Sequence, residues 1–266
     1  MASLSDRLLA IASFIEKGES VADIGSDHAF LAKYIVERDG GGESVAEEVA
    51  GAEEVAVYRN SNSVKVIMTD VNPGPLARAM GTFGIEGGEG AVPSFLSFRL
   101  GDGLRPLRKG ETDAVVIAGM GGDLMVRMLS EDVEKTASFG KFILQPRTRS
   151  DRLRKWIADN GFFIAEEDLA VERGRICEVI VMAVGKDSLG VEGDIPEIVK
   201  YEASAALLRR RPPLLGEFLR RKIGAEEKVL AGAGTGSGGA ARDRAALARA
   251  KIDAYQELLR YDMMLS

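Results

Sequence analysis

Residues Val21-Ala22-Asp23-Ile24-Gly25-Ser26-Asp27-His28-Ala29-Phe30-Leu31 constrain this chain more than any other stretch. A short apolar run ends in an acid, passes a glycine-containing turn and opens into a helical pattern. That is a strand–loop–helix, in which backbone N–H groups and a helix N-terminus receive a polar or anionic ligand. Where a dinucleotide fingerprint needs its second glycine, two positions after Gly25, the chain has Asp27, followed by His28. A carboxylate there repels a pyrophosphate. It suits an ammonium or ribose hydroxyls, both of which S-adenosylmethionine carries. The alternative, an ordinary tight turn between strand and helix, stays open on this stretch alone.

The same alternation continues. Residues 4–17 read as a helix with Leu4, Leu8, Ile11, Ala12 and Ile15 on one face, and Arg7 stands beside that face within reach of a ligand. Strands are expected at 20–24, 64–69, 95–100, 114–117, 141–144 (closed by Gln145-Pro146), 162–171 and 176–184. Helices are expected at 29–38, 73–83 (capped by Asn72 with Pro73 at its first position), 123–130 and 150–160, the last followed by Gly161. Between the first helix and the second strand, residues 40–63 form an acidic excursion, with a hairpin expected between 55–59 and 64–68. The order implies an α/β fold, a doubly wound Rossmann-like sheet of seven strands with one antiparallel strand at its end. Seven strands so arranged are the architecture of S-adenosylmethionine-dependent methyltransferases. No Gly-x-Ser-x-Gly nucleophile elbow supports a hydrolase.

A linker at 186–194 divides a domain of residues 1–190 from a helical C-terminal unit, 191–266. Helical patterns cover 198–211, broken by Pro212-Pro213, then 214–230 and, after a glycine-rich loop at 231–239, residues 241–265. In the second of these, Leu215, Phe218, Leu219, Lys222, Ile223, Val229 and Leu230 fall near one stripe. The pattern predicts an antiparallel, coiled-coil-like helical hairpin, either a cap on the main domain or a substrate-gripping appendage.

Composition narrows the chemistry. At 266 residues and 45% hydrophobic, the chain can build a sizeable core. Its amphipathic beginning, with Asp6, Arg7, Glu16 and Lys17, does not read as a signal peptide, and no run approaches the ~18 apolar residues of a membrane span. One cysteine, Cys177, and one histidine, His28, argue against a disulfide framework or a zinc site and for a reducing cytoplasm. The net charge is −6, yet residues 195–266 hold 13 basic and 9 acidic side chains, so the tail is the basic part.

Four stretches carry a resemblance: Leu4-Ser5-Asp6-Arg7-Leu8, ADIGSDHA at 22–29, GDGL at 101–104 with IAGMGG at 117–122, and ILQP at 143–146. Together they resemble the bacterial tRNA (adenine22-N1)-methyltransferase family over nearly the whole chain. DIGSDHA combined with IAGMGG is the specific part. The resemblance implies a Rossmann-like methyltransferase that uses S-adenosylmethionine and acts on N1 of an adenine in tRNA, with no metal and no membrane partner, as a monomer or weak homodimer. Two departures stand out: the long 40–63 excursion, which puts Asp70 47 residues after Asp23 where about 20 is usual, and the 231–239 loop.

Residue by residue, the resemblance places Asp23, Gly25, Ser26 and Asp27 at the cofactor, with Arg7 nearby. Asp70, with Val71, ends the second strand where a carboxylate takes ribose hydroxyls; the alternative is a cap for the helix at Pro73. Asp102 ends the third strand, placed to accept the adenine amino group beside Gly103 and Leu104, or is simply a turn aspartate. Ala118, Gly119 and Met120 follow the fourth strand, where the target base meets the methyl donor. Asp27 and His28 are the candidates for stabilising the cationic product, although a lone histidine is more often a structural hydrogen-bonder. Phosphate contacts are expected from Arg147, Arg149, Arg152, Arg154 and Lys155, from Arg209-Arg210-Arg211, and from Arg220-Arg221-Lys222, each of which could instead be a solvated helix face. Trp156 is expected in the core. The competing readings are the same cofactor chemistry on another RNA or a small molecule, a nicotinamide-dependent oxidoreductase, and a non-catalytic RNA-binding protein.

Overall fold

The computed structural model describes residues 4–26, 28–40, 45–47, 55–57, 64–85, 92–185, 195–233 and 238–264. Its centre is a strand that water does not reach. All four residues of β1 (Val21–Ile24) are buried, as are four of five in β4 (Val66–Asp70) and the first four of β6 (Ala114–Gly121). Strands covered on both faces need continuous apolar runs, which is why these read as VADI, VIMT and AVVI. Side chains then alternate between two cores: Val21, Val66, Met68, Ala114 and Val116 face one, while Ala22, Ile67, Val115 and Ile117 face the other. The first core is closed by α1 (Asp6–Ser13), α2 (Phe30–Gly40) and α3 (Pro73–Thr82), and the second by α4 (Gly122–Ser130) and α6 (Ser150–Asp159). A one-turn helix, α5 (Val133–Thr136), follows α4.

With β5 (Leu96–Leu100), β7 (Lys141–Thr148), β8 (Phe162–Glu172) and β9 (Arg175–Val184), the sheet has seven strands in the order β5-β4-β1-β6-β7-β9-β8. Strands β5, β4, β1, β6 and β7 are parallel neighbours, and β9 runs antiparallel to both β7 and β8. The antiparallel strand therefore lies one in from the rim rather than at it. The two-residue turn Arg173-Gly174 folds β9 straight back along β8, and the gap beside β7 accepts it.

Three expectations are corrected. The hairpin in the excursion pairs β2 (Val45–Glu47) with β3 (Val55–Val57), leaving Val66 onward to the main sheet, and the rest of 41–63 lies outside the described residues. Strand β7 does not close at Gln145-Pro146 but runs to Thr148. Pairing with β9 ends at Leu144, so Pro146, which has no N–H to give, costs the ladder nothing on that side. In the C-terminal unit the segment read as one helix is a 3-10 turn, Glu197–Val199, followed by α7 (Ala205–Arg210), which is capped by the Ser204 hydroxyl.

Helices α8 (Leu215–Ala233) and α9 (Gly239–Met264) form the expected hairpin. A third core joins Val199, Ala203, Leu207, Leu215, Phe218, Leu219, Ala254, Tyr255 and Leu258 to Leu169 of β8. Burial on α8 stops at Leu219. Val229 is half-exposed, because the far half of the stripe has little besides α9 to cover it. Trp156 stacks on Phe162 with centroids 5.4 Å apart and packs against the second core. No helix among the described residues is long and apolar enough to cross a membrane.

Candidate active site

The sheet order reverses at β1, whose neighbours β4 and β6 are reached by connections running in opposite directions. In open α/β sheets the crevice at the carboxyl ends of such strands is the ligand site. Here it is a cleft of about 580 Å³, lined by the loop after β1 (Gly25, Ser26, His28), the end of β6 (Ala118, Gly119), Asp23, the first turn of α1 (Ser5, Arg7) and the β8–β9 turn (Glu172, Arg173).

Gly25 is left-handed, at φ +78°, and a β-carbon there would stand 2.4 Å from Met120 Cε. The loop therefore needs glycine for its backbone, and the Met120 side chain fills the space that Gly25 leaves. Alanine at 25 forces the methionine tip to move, and the cleft offers the room. Gly25→Ala is expected to cost of order 1 kcal/mol in backbone strain and to weaken cofactor binding about tenfold. Gly25→Ala with Met120→Ala removes the clash but not the backbone strain, so it should regain only part of the affinity by calorimetry. Equal affinity in wild type and Gly25→Ala would show that the close approach does not matter.

Asp23 is buried, and burial pushes its carboxyl up to about 6, against the lowering pull of Ser26 and of the Arg7 guanidinium. The amides of Gly25 and Ser26 both donate to the Thr69 carbonyl, at 2.8 and 3.1 Å. Ser26 Oγ is buried beside the Asp23 carboxyl, and Thr69 Oγ1 is buried with no hydrogen-bond partner among the described residues. A buried hydroxyl beside a buried carboxylate suits a polar ligand. Arg7 Nε donates to Glu172 at 2.9 Å, Ser5 Oγ donates to the same carboxylate at 3.0 Å, and the pair holds Glu172 below its ordinary range despite burial.

His28 and Phe30 are exposed at the rim and stack with centroids 5.4 Å apart, only 9° from parallel. The His28 carbonyl accepts from Thr82 Oγ1 at 2.8 Å. Ala29 between them sits at φ +51°, a conformation that non-glycine residues rarely adopt and that functional loops hold under constraint. Asp27 lies outside the described residues.

The other sequence candidates fall on neighbouring strand ends. Asp70 closes β4, and its Oδ1 accepts from the Asn72 amide at 2.8 Å; Asn72 is the cap residue of α3 but makes no side-chain cap bond. Val71 beside it is 60% exposed. Asp102 follows β5, 3.6 Å from Arg127 Nη2. Gly103 and Leu104 are buried, and Leu104 lines a second cavity of about 240 Å³ with Arg105, Met128 and Glu131. Arg7, Asp23, Gly25, Ser26, His28, Ala118 and Gly119 thus share one cleft, while Asp70, Val71, Asp102, Gly103 and Leu104 lie outside its lining.

Several basic residues expected at phosphate are engaged elsewhere. Arg154 is 1% exposed and ion-paired to Glu167 and Glu178. Arg210 pairs with Glu166 and Asp168, Arg211 with Asp262, Arg149 with Asp151, Arg152 with Asp123 and Lys155 with Asp159. Sequence reasoning missed Glu172 and Gln145, the latter seen only as part of a strand-closing ILQP.

A methyltransferase-domain family model matches residues 4–54 and 51–180. The tRNA (adenine(22)-N(1))-methyltransferase of Bacillus subtilis (strain 168) is 32% identical over 190 residues, which is 71% of this chain and 69% of that protein. The chain belongs to the tRNA (adenine(22)-N(1))-methyltransferase family. The fold agrees over the same range and beyond it. The crystal structure of B. subtilis TrmK superposes with a TM-score of 0.76 at 23% identity, covering 97% of this chain and all of that one. Streptococcus pneumoniae Sp1610 in complex with S-adenosyl-L-methionine superposes at 0.70 with 27% identity and the same coverage. The solved relative holds S-adenosyl-L-methionine, and the cleft at the ends of β1 and β6 is this chain's candidate site for such a ligand. The Asp23 carboxylate and the Ser26 hydroxyl in its lining fit a ligand carrying an ammonium and a sulfonium.

Proposed function

We infer that this chain transfers a methyl group from S-adenosylmethionine to N1 of adenine 22 in tRNA. The observation that carries the reading is the relative at 32% identity over most of both chains, together with a cleft that holds Asp23, Gly25, Ser26, Ala118 and Gly119 at the switch point of the sheet.

When bound, S-adenosylmethionine supplies an electrophilic methyl on a cationic sulfur. Adenine N1 carries an in-plane lone pair and no proton, so the protein needs no strong base; it must align the reactants and keep water away. Asp23 and Ser26 would hold the cationic end of the cofactor, with Arg7 and Glu172 forming the wall beside them. Asp70 with Val71 would take the ribose hydroxyls and Asp102 with Gly103 and Leu104 the adenine, on the neighbouring strand ends beyond the lining of the cleft. Ala118, Gly119 and Met120 bring the backbone close to the place of transfer. N1 lies on the Watson–Crick edge, so the base must be unpaired or extruded when it reacts. The exposed His28–Phe30 stack at the cleft rim is an aromatic surface for such a base. Asp27, on the same loop, supports the cationic product with His28.

The reading carries with it a methyltransferase domain of 1–190, a C-terminal helical unit of 191–266 that grips tRNA, and a cytoplasmic setting. Arg147, Arg173, Arg175, Arg220 and Arg221 are exposed, and Arg221 Nη1 donates to the Gly174 carbonyl at 3.1 Å, so α8 meets the turn that borders the cleft. The test is methyl transfer from labelled S-adenosylmethionine to unmodified tRNA transcripts, with the nucleoside identified by mass spectrometry. The expected product is 1-methyladenosine, lost when adenine 22 is replaced. Label persisting after that replacement would move the target elsewhere.

A further inference from the structure

The end of β6 contains an irregularity that a single side chain resolves. Ala118 pairs with Gln145, but the next pair is Met120 with Pro146, so β6 carries one extra residue, Gly119, at φ +76°. A bulged residue of this kind loses its partner in the ladder. The partner it would meet is disabled as well, because Pro146 has no N–H. The Gln145 side chain, 2% exposed, supplies an acceptor for the Gly119 N–H and is itself anchored on the Pro146 carbonyl. Its Oε1 accepts the Gly119 N–H at 3.1 Å, and its Nε2 donates to the Pro146 carbonyl at 3.1 Å. An amide with a donor and an acceptor is required, and the two bonds determine which way it points. The same Oε1 is 3.4 Å from Arg7 Nη1, and Arg7 is fastened to Glu172. Ala118, Gly119, Arg7 and Glu172 all line the cleft, whereas Gln145 does not.

We propose that Gln145 is a positioning residue for methyl transfer. It holds the Gly119 bulge in the one conformation that presents the 118–120 backbone to the reacting groups, and it ties that bulge to the Arg7–Glu172 wall. The proposal rests on the functional reading above. It asks nothing of Gln145 as a ligand. A buried group that sets backbone geometry acts on alignment, and misplacement by about 1 Å costs on the order of a hundredfold in rate.

Two variants separate positioning from plain packing. Gln145→Met keeps the length and volume and removes both bonds, whereas Gln145→Glu keeps an acceptor for Gly119 and Arg7 while replacing the donor to the Pro146 carbonyl by a second acidic oxygen, which must carry a proton to keep that contact. Three measurements are made on the full chain: single-turnover methylation of the tRNA transcript, cofactor Kd by calorimetry, and exchange of the Gly119 amide by NMR. Gln145→Met is expected to slow single turnover about a hundredfold with cofactor Kd and tRNA KM within about threefold, and to speed Gly119 exchange sharply. Gln145→Glu should recover at least a tenfold share of the lost rate and most of the amide protection. A rate within threefold of wild type in Gln145→Met overturns the proposal, as does a rate loss matched by an equal loss of cofactor affinity. Should wild type itself leave tRNA unmethylated, the functional reading fails by that result. Gly119 exchange then still decides the hydrogen bond, since unaltered protection in Gln145→Met would remove it.

Discussion

Arg154→Leu is expected to lower the unfolding free energy by about 3–5 kcal/mol. Arg154 lies on α6 with its guanidinium fully enclosed. It donates to Glu167 of β8 and Glu178 of β9, and Nη1 donates to the Tyr201 carbonyl at 3.1 Å. Ser204 Oγ, which also caps α7, donates to Glu167, and Ser150 Oγ donates to Glu178 at 2.9 Å. One cation thus binds a helix, two strands and the segment that leads into the C-terminal helices. Removing it leaves Glu167 fully buried without its ion-pair partner and Glu178 with only Lys222 as a positive neighbour, and that penalty, not the worth of the pair, sets the size of the effect. The pH dependence has a definite sign. Burial alone would raise the Glu178 carboxyl, but Arg154 holds it below its ordinary range. A depressed acid stabilises the fold above its unfolded pKa and loses that contribution as pH falls. In the variant the Glu178 carboxyl protonates more readily, so the deficit measured by denaturant unfolding should shrink between pH 7 and pH 4. A deficit that is constant with pH would mean lost packing alone. Arg154→Leu combined with Glu167→Leu should lose less than the two changes added, because the second removes one of the stranded charges.

The same residue shows where sequence reasoning reaches its end. Arg154 sits in a run of five basic residues within nine positions, Arg147 to Lys155, and in one dimension such a run reads as a phosphate patch. Nothing local says that Glu167 and Glu178 return to it from a β-hairpin. What was legible had a local cause. The buried strands announced themselves as apolar runs, the helix at Pro73 through its first residue, the cleft through an acid before a glycine turn. Gly25 and Gly119 stood out as glycines where a ligand could approach the backbone closely; that both are left-handed is visible only in the fold. Gln145 and Glu172 did not stand out, since their roles arise only when β7 and the β8–β9 turn are laid beside β6 and α1. Glu172 is 165 positions from the arginine it holds, and nothing in a charged turn foretells that pairing. The hairpin in the excursion was misplaced for a related reason: Val64–Met68 has the pattern of any strand, and only competition from β1 and β5 decides which partner it takes.

Asp23→Asn should make the protein more stable and a poorer enzyme at once. Burial raises the Asp23 carboxyl from 3.8 to about 6. A raised acid binds its proton more tightly in the folded state, so the fold loses stability as pH climbs from about 4 to beyond 6, by about 3 kcal/mol once the group is ionised. The asparagine variant escapes that loss. It should match wild type near pH 4 and melt several degrees higher at pH 8. Binding runs the other way. A cofactor with an ammonium and a sulfonium favours the ionised carboxylate, so wild-type affinity should fall about tenfold per unit as pH drops below 6, where a proton must first leave. Asparagine gives no charge to titrate. Its cofactor affinity should be flat across this range and about a hundredfold weaker at pH 8, in line with the 2–5 kcal/mol seen when one member of a buried charge pair is neutralised. Calorimetric titrations at pH 5, 6, 7 and 8, beside melting curves of the unliganded proteins, read both halves. Higher stability with unchanged affinity would leave Asp23 as a strained structural acid and move the cationic end of the cofactor to another group. Lower stability at pH 8 would show that the ionised carboxylate is held by contacts stronger than its burial cost. Both gains and losses in the expected direction would mean that the buried charge destabilises the free protein because it is reserved for the bound one.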